Sequence, residues 1–151
     1  MTDLPGIGAE LLSVSLAGQQ YAIDIMSVRE IRGWTTSTPI PHSPPHVIGM
    51  INLRGVVLPV IDLARRLGVG QVAPEPSSVV VVVLIGTRQV GLLVDGVCDI
   101  LRVTENLIQP APDVGAPEIH EFVRGVMTTE AGIVSLLSLE QVLPPDLQAA
   151  A

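Results

Sequence analysis

The residues able to do chemistry in this chain fall into three groups: an arginine set into an apolar run, three histidines with a lone cysteine, and scattered carboxylates. The arginine is Arg54, in "INLRGVVLPVIDL" from Ile51 to Leu63, where Asn52, Arg54 and Gly55 interrupt a strand-like stretch. Gly55 adopts positive φ without steric cost, so Asn52 to Val56 reads as a tight reversal that lifts Arg54 to a rim. A guanidinium stays charged and presents its donors in a rigid fork. At a rim it can bind a carboxylate or several backbone carbonyls of a partner. An ordinary solvated turn arginine is the plainer alternative.

The other candidates do not assemble into a catalytic or metal site. His42 and His46 have the spacing of two ligands on one helix face, but Pro44 and Pro45 lie between them and forbid the helix. They read as solvated loop imidazoles, and His120, flanked by Glu118 and Glu121, as a surface side chain. Cys98 lies near Val97 and Ile100 with no cation beside it, so it reads as a small buried hydrophobe rather than a nucleophile. Phosphate-binding, dinucleotide-binding and serine-elbow motifs are missing from the sequence. Asp24, Glu30, Asp62, Asp95 and Asp99 fall where caps and strand ends need carboxylates. The expectation is a non-enzymatic protein with no cofactor and no metal.

Charge narrows the partners. With 15 acidic against 8 basic residues the formal charge is −7, which repels nucleic acid and anionic membrane surfaces alike. The three aromatic residues, Tyr21, Trp34 and Phe122, are too few for a base-stacking platform, and Trp34 reads equally as a lid over a barrel end. The longest apolar run, "VVVVVLI" from Val79 to Ile85, is far below the roughly 20 residues of a membrane span. The start "MTDLPGIGAELL" has no basic segment before an apolar core, so a cytoplasmic address is expected, in keeping with a single cysteine.

The elements that must position Arg54 are repeated. Of the 151 residues, 48% are hydrophobic and 15% charged, which suits one folded unit with apolar surface left for a partner. "LLSVSLAGQQYAIDIMSVREI", Leu11 to Ile31, lies without a gap on "VVVVLIGTRQVGLLVDGVCDI", Val80 to Ile100. Val28 then meets Val97 and Glu30 meets Asp99. "IGMINLRGVVLPVIDL", Ile48 to Leu63, lies on "RGVMTTEAGIVSLLSL", Arg124 to Leu139, with Arg54 and Gly55 on Glu130 and Ala131. Each half reads strand, turn, strand, short helix, twice over. Val47 to Leu53, Val56 to Ile61, Val79 to Ile85 and Val90 to Val94 are apolar on both faces, as strands covered on two sides are. Two small barrels side by side, one per half, fit this pattern. Asp62 caps "LARRLG" with Gly68 ending it, and Ser138 opens a Ser-x-x-Gln capping box before Pro144 and Pro145. "GVGQVAPEPSS", Gly68 to Ser78, connects the halves, and "STPIPHSPPH", Ser37 to His46, is a proline-rich loop within the first.

"YAIDIMSVREIRG", "HVIGMINLRGVVLPVIDL", "VGLLVDGVCDIL" and "LIQPAP" resemble, in order and separation, the signature stretches of the CheW family of chemotaxis coupling proteins. The resemblance runs from about Leu11 to Leu143. It implies an all-β fold of two packed five-stranded SH3-like barrels with short helices, spanning residues 11–146 as a single domain. Its halves are 11–68 and 79–143, the connector 68–78, and the tails 1–10 and 147–151.

It implies an adaptor that joins the cytoplasmic tips of chemoreceptor hairpins to the regulatory domain of the histidine kinase CheA. Other CheW-like proteins in an array would be further partners, and membrane arrays would be reached only through partners. Arg54, with Asn52 and Gly55, corresponds to the family's partner-binding rim, and Glu30 with Val28 to positions tied to receptor and kinase contact. By the internal repeat, Val94, Asp95 and Val97 are the counterparts of Ile25, Met26 and Val28, and the two sets would line a groove between the barrels. His46 departs from the family pattern where an aromatic is common, and Ser138 where an acid is. The alternatives are a CheW-like scaffold for pilus motility or another output, and a small-ligand-binding barrel. A CheV-like regulator would need an appended receiver domain, for which 151 residues are too few.

Overall fold

The computed structural model describes residues 6–34, 37–39, 41, 46–70, 75, 77–104, 108–110, 122–130 and 132–143. The first half supplies β1 (Glu10–Leu16), β2 (Gln19–Asp24), a 3-10 turn (Ile25–Ser27), β3 (Val28–Gly33), β4 (Val47–Leu53), β5 (Val56–Asp62) and α1 (Leu63–Leu67). The second supplies β6 (Val79–Ile85), β7 (Arg88–Val94), β8 (Gly96–Arg102), β9 (Ile108–Pro110), β10 (Val123–Thr129), β11 (Gly132–Leu137) and α2 (Leu139–Val142). His42, Pro44, Pro45, His120 and much of the connector lie outside the described residues.

The fold is all-β. Sheet A has six strands in the order β8-β1-β2-β11-β10-β9, and sheet B five in the order β3-β6-β7-β5-β4. The fold of two packed SH3-like barrels stands, but each sheet draws strands from both halves rather than from one. Each half places its first two strands in one sheet and the rest in the other, so β3 pairs with β6 and β8 with β1. Parallel pairs β2–β11 and β5–β7 complete the exchange. The repeat is visible in the sequence because it is local; the pairing partner of a strand is not.

The repeat extends to irregularities. The ladder shifts register at Arg29 in β3 and at the equivalent Cys98 in β8, and again at Ile48 in β4 and the equivalent Arg124 in β10. A β-bulge re-aims the side chains around it. This overturns the expectation for Cys98, which is exposed rather than buried.

The central strands β6 and β7 of sheet B are covered on both faces, which is why they are continuously apolar: Val80 to Val83 and Leu92 to Val94 are all buried in the main core. That core also takes Leu12, Val14, Leu16, Tyr21 and Ile23 from sheet A. A smaller core packs separately: Leu11 and Ala22 from the other face of β1 and β2, Met127 from β10, Val134 and Leu136 from β11, and Val103 just past β8. Trp34 is half-buried against the main core, consistent with a lid.

The two helices differ at their starts. Asp62 accepts a hydrogen bond from the Arg65 amide at 3.2 Å, and Gly68 ends α1 in the left-handed conformation at φ 77°. Ser138 makes no side-chain cap bond, so the expected capping box is not formed; its carbonyl accepts from the Gln141 and Val142 amides instead. Arg66 ties the helices together. Its Nε donates to the Val142 carbonyl at 2.8 Å and its Nη2 to that of Gln141 at 3.1 Å, with the guanidinium 4.9 Å from the Phe122 ring centroid.

Gly91 marks a close approach between strands inside sheet B. A Cβ there would meet Val80 Cγ1 at 2.9 Å and Val60 Cγ2 at 3.4 Å. Gly91→Ala is expected to cost about 1–3 kcal/mol, the range for overpacking a tight core. Denaturant unfolding of the variant checks this, and an unchanged midpoint would show that β5 and β7 have room to part.

Candidate partner-binding surface

Arg54 stands at the tip of the β4–β5 hairpin. Leu53 pairs with Val56, so Arg54 and Gly55 form a two-residue turn, with φ of 51° and 88°. Both positive values belong to a type I′ turn, which suits the strand twist and favours Asn or Gly at both places. Asn52 Oδ1 accepts from the Gly55 amide at 2.9 Å and shapes the reversal. An L-residue with a bulky side chain in this conformation costs roughly 1 kcal/mol or more. Local backbone physics does not ask for arginine there.

The side chain has a partner. Arg54 Nη2 hydrogen-bonds Glu30 Oε1, and Nη1 reaches Glu30 Oε2 at 3.4 Å, a two-pronged contact across 24 residues of sequence. Glu30 lies on β3 and Arg54 follows β4; these are the two edge strands of sheet B. The ion pair bridges the open side of that sheet. The bulge at Arg29 directly precedes Glu30, where it turns the strand.

Arg32 joins with Nη1 3.6 Å from Glu30 Oε2. Its place two residues along the strand from Glu30 is the signal by which the sequence could have shown it. The hydrogen bond from Arg54 holds the Glu30 carboxyl below the usual carboxylate range; desolvation opposes this, and the charges of Arg54 and Arg32 add to it. The Arg54 side chain remains 72% exposed, so its outer edge is open. An exposed pair adds little net stability in water, so the strained arginine is not accounted for by the stability of the pair.

The remaining sequence candidates separate. Ile25, Val28 and Val97 are half-buried and pack against the main core. Val94 is fully buried and faces no solvent, which removes it from any surface groove: both faces of β7 are covered. Asp95 is exposed, and its Oδ2 accepts the Ala17 amide of the β1–β2 turn at 3.0 Å, a structural use of the carboxylate. Val94 therefore drops out of the expected groove, while Ile25, Val28 and Val97 keep part of their surface open. An open cleft of about 360 Å³ lies beside the 3-10 turn, lined by Asp24, Ser27, Ile85, Arg124 and Glu140 among others. Met26 stands at its turn with 87% exposure.

Among the described residues no cluster of His, Cys, Asp and Glu could hold a metal ion, and no helix is long and apolar enough to cross a membrane. The site offers directional hydrogen bonding and apolar contact at a rim.

A family model for the CheW-like domain matches residues 10–145. The chain belongs to the CheW-like family. It is similar to the chemotaxis protein CheW of Rhizobium meliloti, at 44% identity over 95% of this chain and 93% of that one. The chemotaxis protein CheW of Klebsiella aerogenes is 36% identical over 91% of this chain and 82% of that one. Among solved structures, the scaffolding protein TtCheW of Thermoanaerobacter tengcongensis superposes with a TM-score of 0.84 at 32% identity, covering 93% of this chain and 96% of that one. The CheW-like fold is thus shared over nearly its whole length.

Because the Glu30 pKa is depressed in the folded chain, the pair contributes stability above the ordinary carboxylate pKa and loses it as pH falls through the lowered value. Glu30→Gln is expected to be less stable than the parent at neutral pH, with the difference closing in acid. Arg54→Ala should raise the Glu30 pKa, leaving Arg32 alone beside it. Carboxyl titration by NMR checks both, and a Glu30 pKa unmoved by Arg54→Ala would show that the contact is not made in solution.

Proposed function

We propose that this chain is a non-enzymatic signalling adaptor that couples chemoreceptor cytoplasmic tips to the regulatory domain of a CheA-type histidine kinase. The carrying observation is Arg54: an arginine kept in a strained turn, held by Glu30 at the edge of sheet B and still largely open to a partner. Family membership and the names of the relatives support the chemotaxis role, and the CheA and receptor assignments extend that reading.

In this account Glu30 fixes the guanidinium so that little side-chain entropy is lost on binding. The free donors of Arg54 engage a carboxylate or backbone carbonyls on the partner, while Val28 and Ile25, half-buried nearby in sequence, offer apolar contact. Met26, exposed between them in sequence, extends that surface. Asn52 and Gly55 act through the turn geometry. Val97 supports the core behind β8, and Asp95 the β1–β2 turn. The protein works in the cytoplasm and reaches the membrane through its partners.

Arg54→Gly separates stability from binding. The turn prefers glycine, so unfolding stability is expected to stay level or rise by up to about 1 kcal/mol. Affinity for a partner is expected to fall by about 2 kcal/mol or more, as at a hot spot. Calorimetric titration of the folded variant with a receptor cytoplasmic fragment and with a CheA regulatory domain measures this. Unchanged affinity for both would remove Arg54 from the binding surface, and binding of neither by the parent chain would overturn the adaptor reading.

A further inference from the structure

A cavity of about 210 Å³ borders the main core where the end of α1 meets sheet A. Among the described residues its apolar walls are Leu67 and Val69 at the end of α1, Tyr21 of β2, and Phe122 with Val123. Tyr21, Leu67 and Phe122 are buried members of that core. Val69, 39% exposed, and the exposed Gln19 mark the open side. Ser135 stands beside Tyr21 in the parallel ladder of β2 and β11, so both side chains leave the same face of sheet A. The walls come from both halves of the chain.

Tyr21 is the unusual wall. It is 6% exposed, yet its hydroxyl makes no hydrogen bond among the described residues. Buried hydroxyls are normally paired, because an unmade bond leaves the desolvation of the group uncompensated. Nor is this hydroxyl sealed off by protein, so it opens on the cavity that the residue lines. Burial alone pushes it up from the ordinary phenol range, which keeps it neutral and able to donate at neutral pH. The fold does not need it. In the internal repeat the places of Tyr21 and Ser135 are taken by Val90 and Pro59, so the equivalent joint of sheet B is built with neither hydroxyl.

Size and polarity decide the occupant. An apolar cavity of about 150 Å³ holds a benzene ring, so this one has room for a ring carrying a small substituent. Among the described residues no carboxylate or cation lines it, so an ionised ligand would lose its hydration without compensation. We propose that this cavity binds a small neutral aromatic alcohol, with its ring against Phe122, Leu67 and Val123 and its hydroxyl bonded to that of Tyr21. Aromatic walls favour a ring, and one polar group on an otherwise apolar lining fixes its orientation. Ser135, on the same face as Tyr21, supplies a second hydroxyl to the site. The site shares no residue with the Glu30–Arg54 contact and stands independently of the adaptor reading.

The full chain, labelled for methyl NMR, is titrated with benzyl alcohol, with toluene, which lacks the hydroxyl, and with benzoate, which is charged. Benzyl alcohol is expected to shift the Leu67, Val69 and Val123 methyl signals with roughly millimolar affinity, and benzoate to leave them in place. Tyr21→Phe keeps the ring and removes only the unbonded hydroxyl, so it should fold as the parent does, weaken benzyl alcohol by about fivefold and leave toluene unchanged. Val69→Trp, a change at the open side, should block both neutral ligands. Absence of these shifts with millimolar benzyl alcohol, equal binding of benzoate, an equal effect of Tyr21→Phe on benzyl alcohol and toluene, or undiminished binding to Val69→Trp would each overturn the proposal.

Discussion

The reciprocal exchange of strands between the two halves is the constraint on which the rest of the structure depends. Because β3 lies against β6 and β8 against β1, neither half can bury its apolar strands alone, and both must be present before either sheet exists. The main core runs through both sheets for the same reason. The contact between Glu30 and Arg54 follows from it. Both residues belong to the first half, yet β6 and β7 of the second half separate their strands in sheet B. The ion pair spans what those inserted strands leave open.

Duplication supplies the scaffold, and its departures supply the specialisation. Bulges recur at matching places in both halves, at Arg29 and Cys98 and again at Ile48 and Arg124. Chemistry does not recur. The positions of Glu30 and Arg54 are taken in the second half by Asp99 and Glu130, two acids that cannot pair with each other. Asp99 turns instead to its own backbone, accepting the Ile100 amide at 2.8 Å. One sheet therefore presents a fixed cation and the other does not, so the molecule can be read in one orientation by a partner despite its internal repeat.

Much of this was legible in the sequence where the cause is local. β4 and β6 run over Val47–Leu53 and Val79–Ile85 as their β-branched runs and flanking turns predict, and α1 starts at Asp62 and stops at Gly68 for the expected capping reasons. The hairpin at Arg54 was legible from Gly55. What depends on pairing over distance was not. The exchange of strands, the burial of Val94 and the outward turn of Cys98 all depend on which strand lies alongside, and a repeat reports similarity rather than adjacency. Glu30 and Arg54 were each singled out, but their pairing across 24 residues has no signature in spacing. Ser138 shows the opposite failure, a motif with correct spacing whose side-chain bond is not made.

In the proposed adaptor a partner recognises the guanidinium at position 54 and not merely the ion pair. The most direct measurement exchanges the two charges, Glu30→Arg with Arg54→Glu, and follows binding of a CheA regulatory domain and a receptor fragment beside unfolding stability. The expected result is a folded protein with the pair restored in reverse and partner binding still lost, because the presented charge has changed sign. Recovery of parental affinity by the exchanged pair would contradict it and make the contact a purely structural clasp.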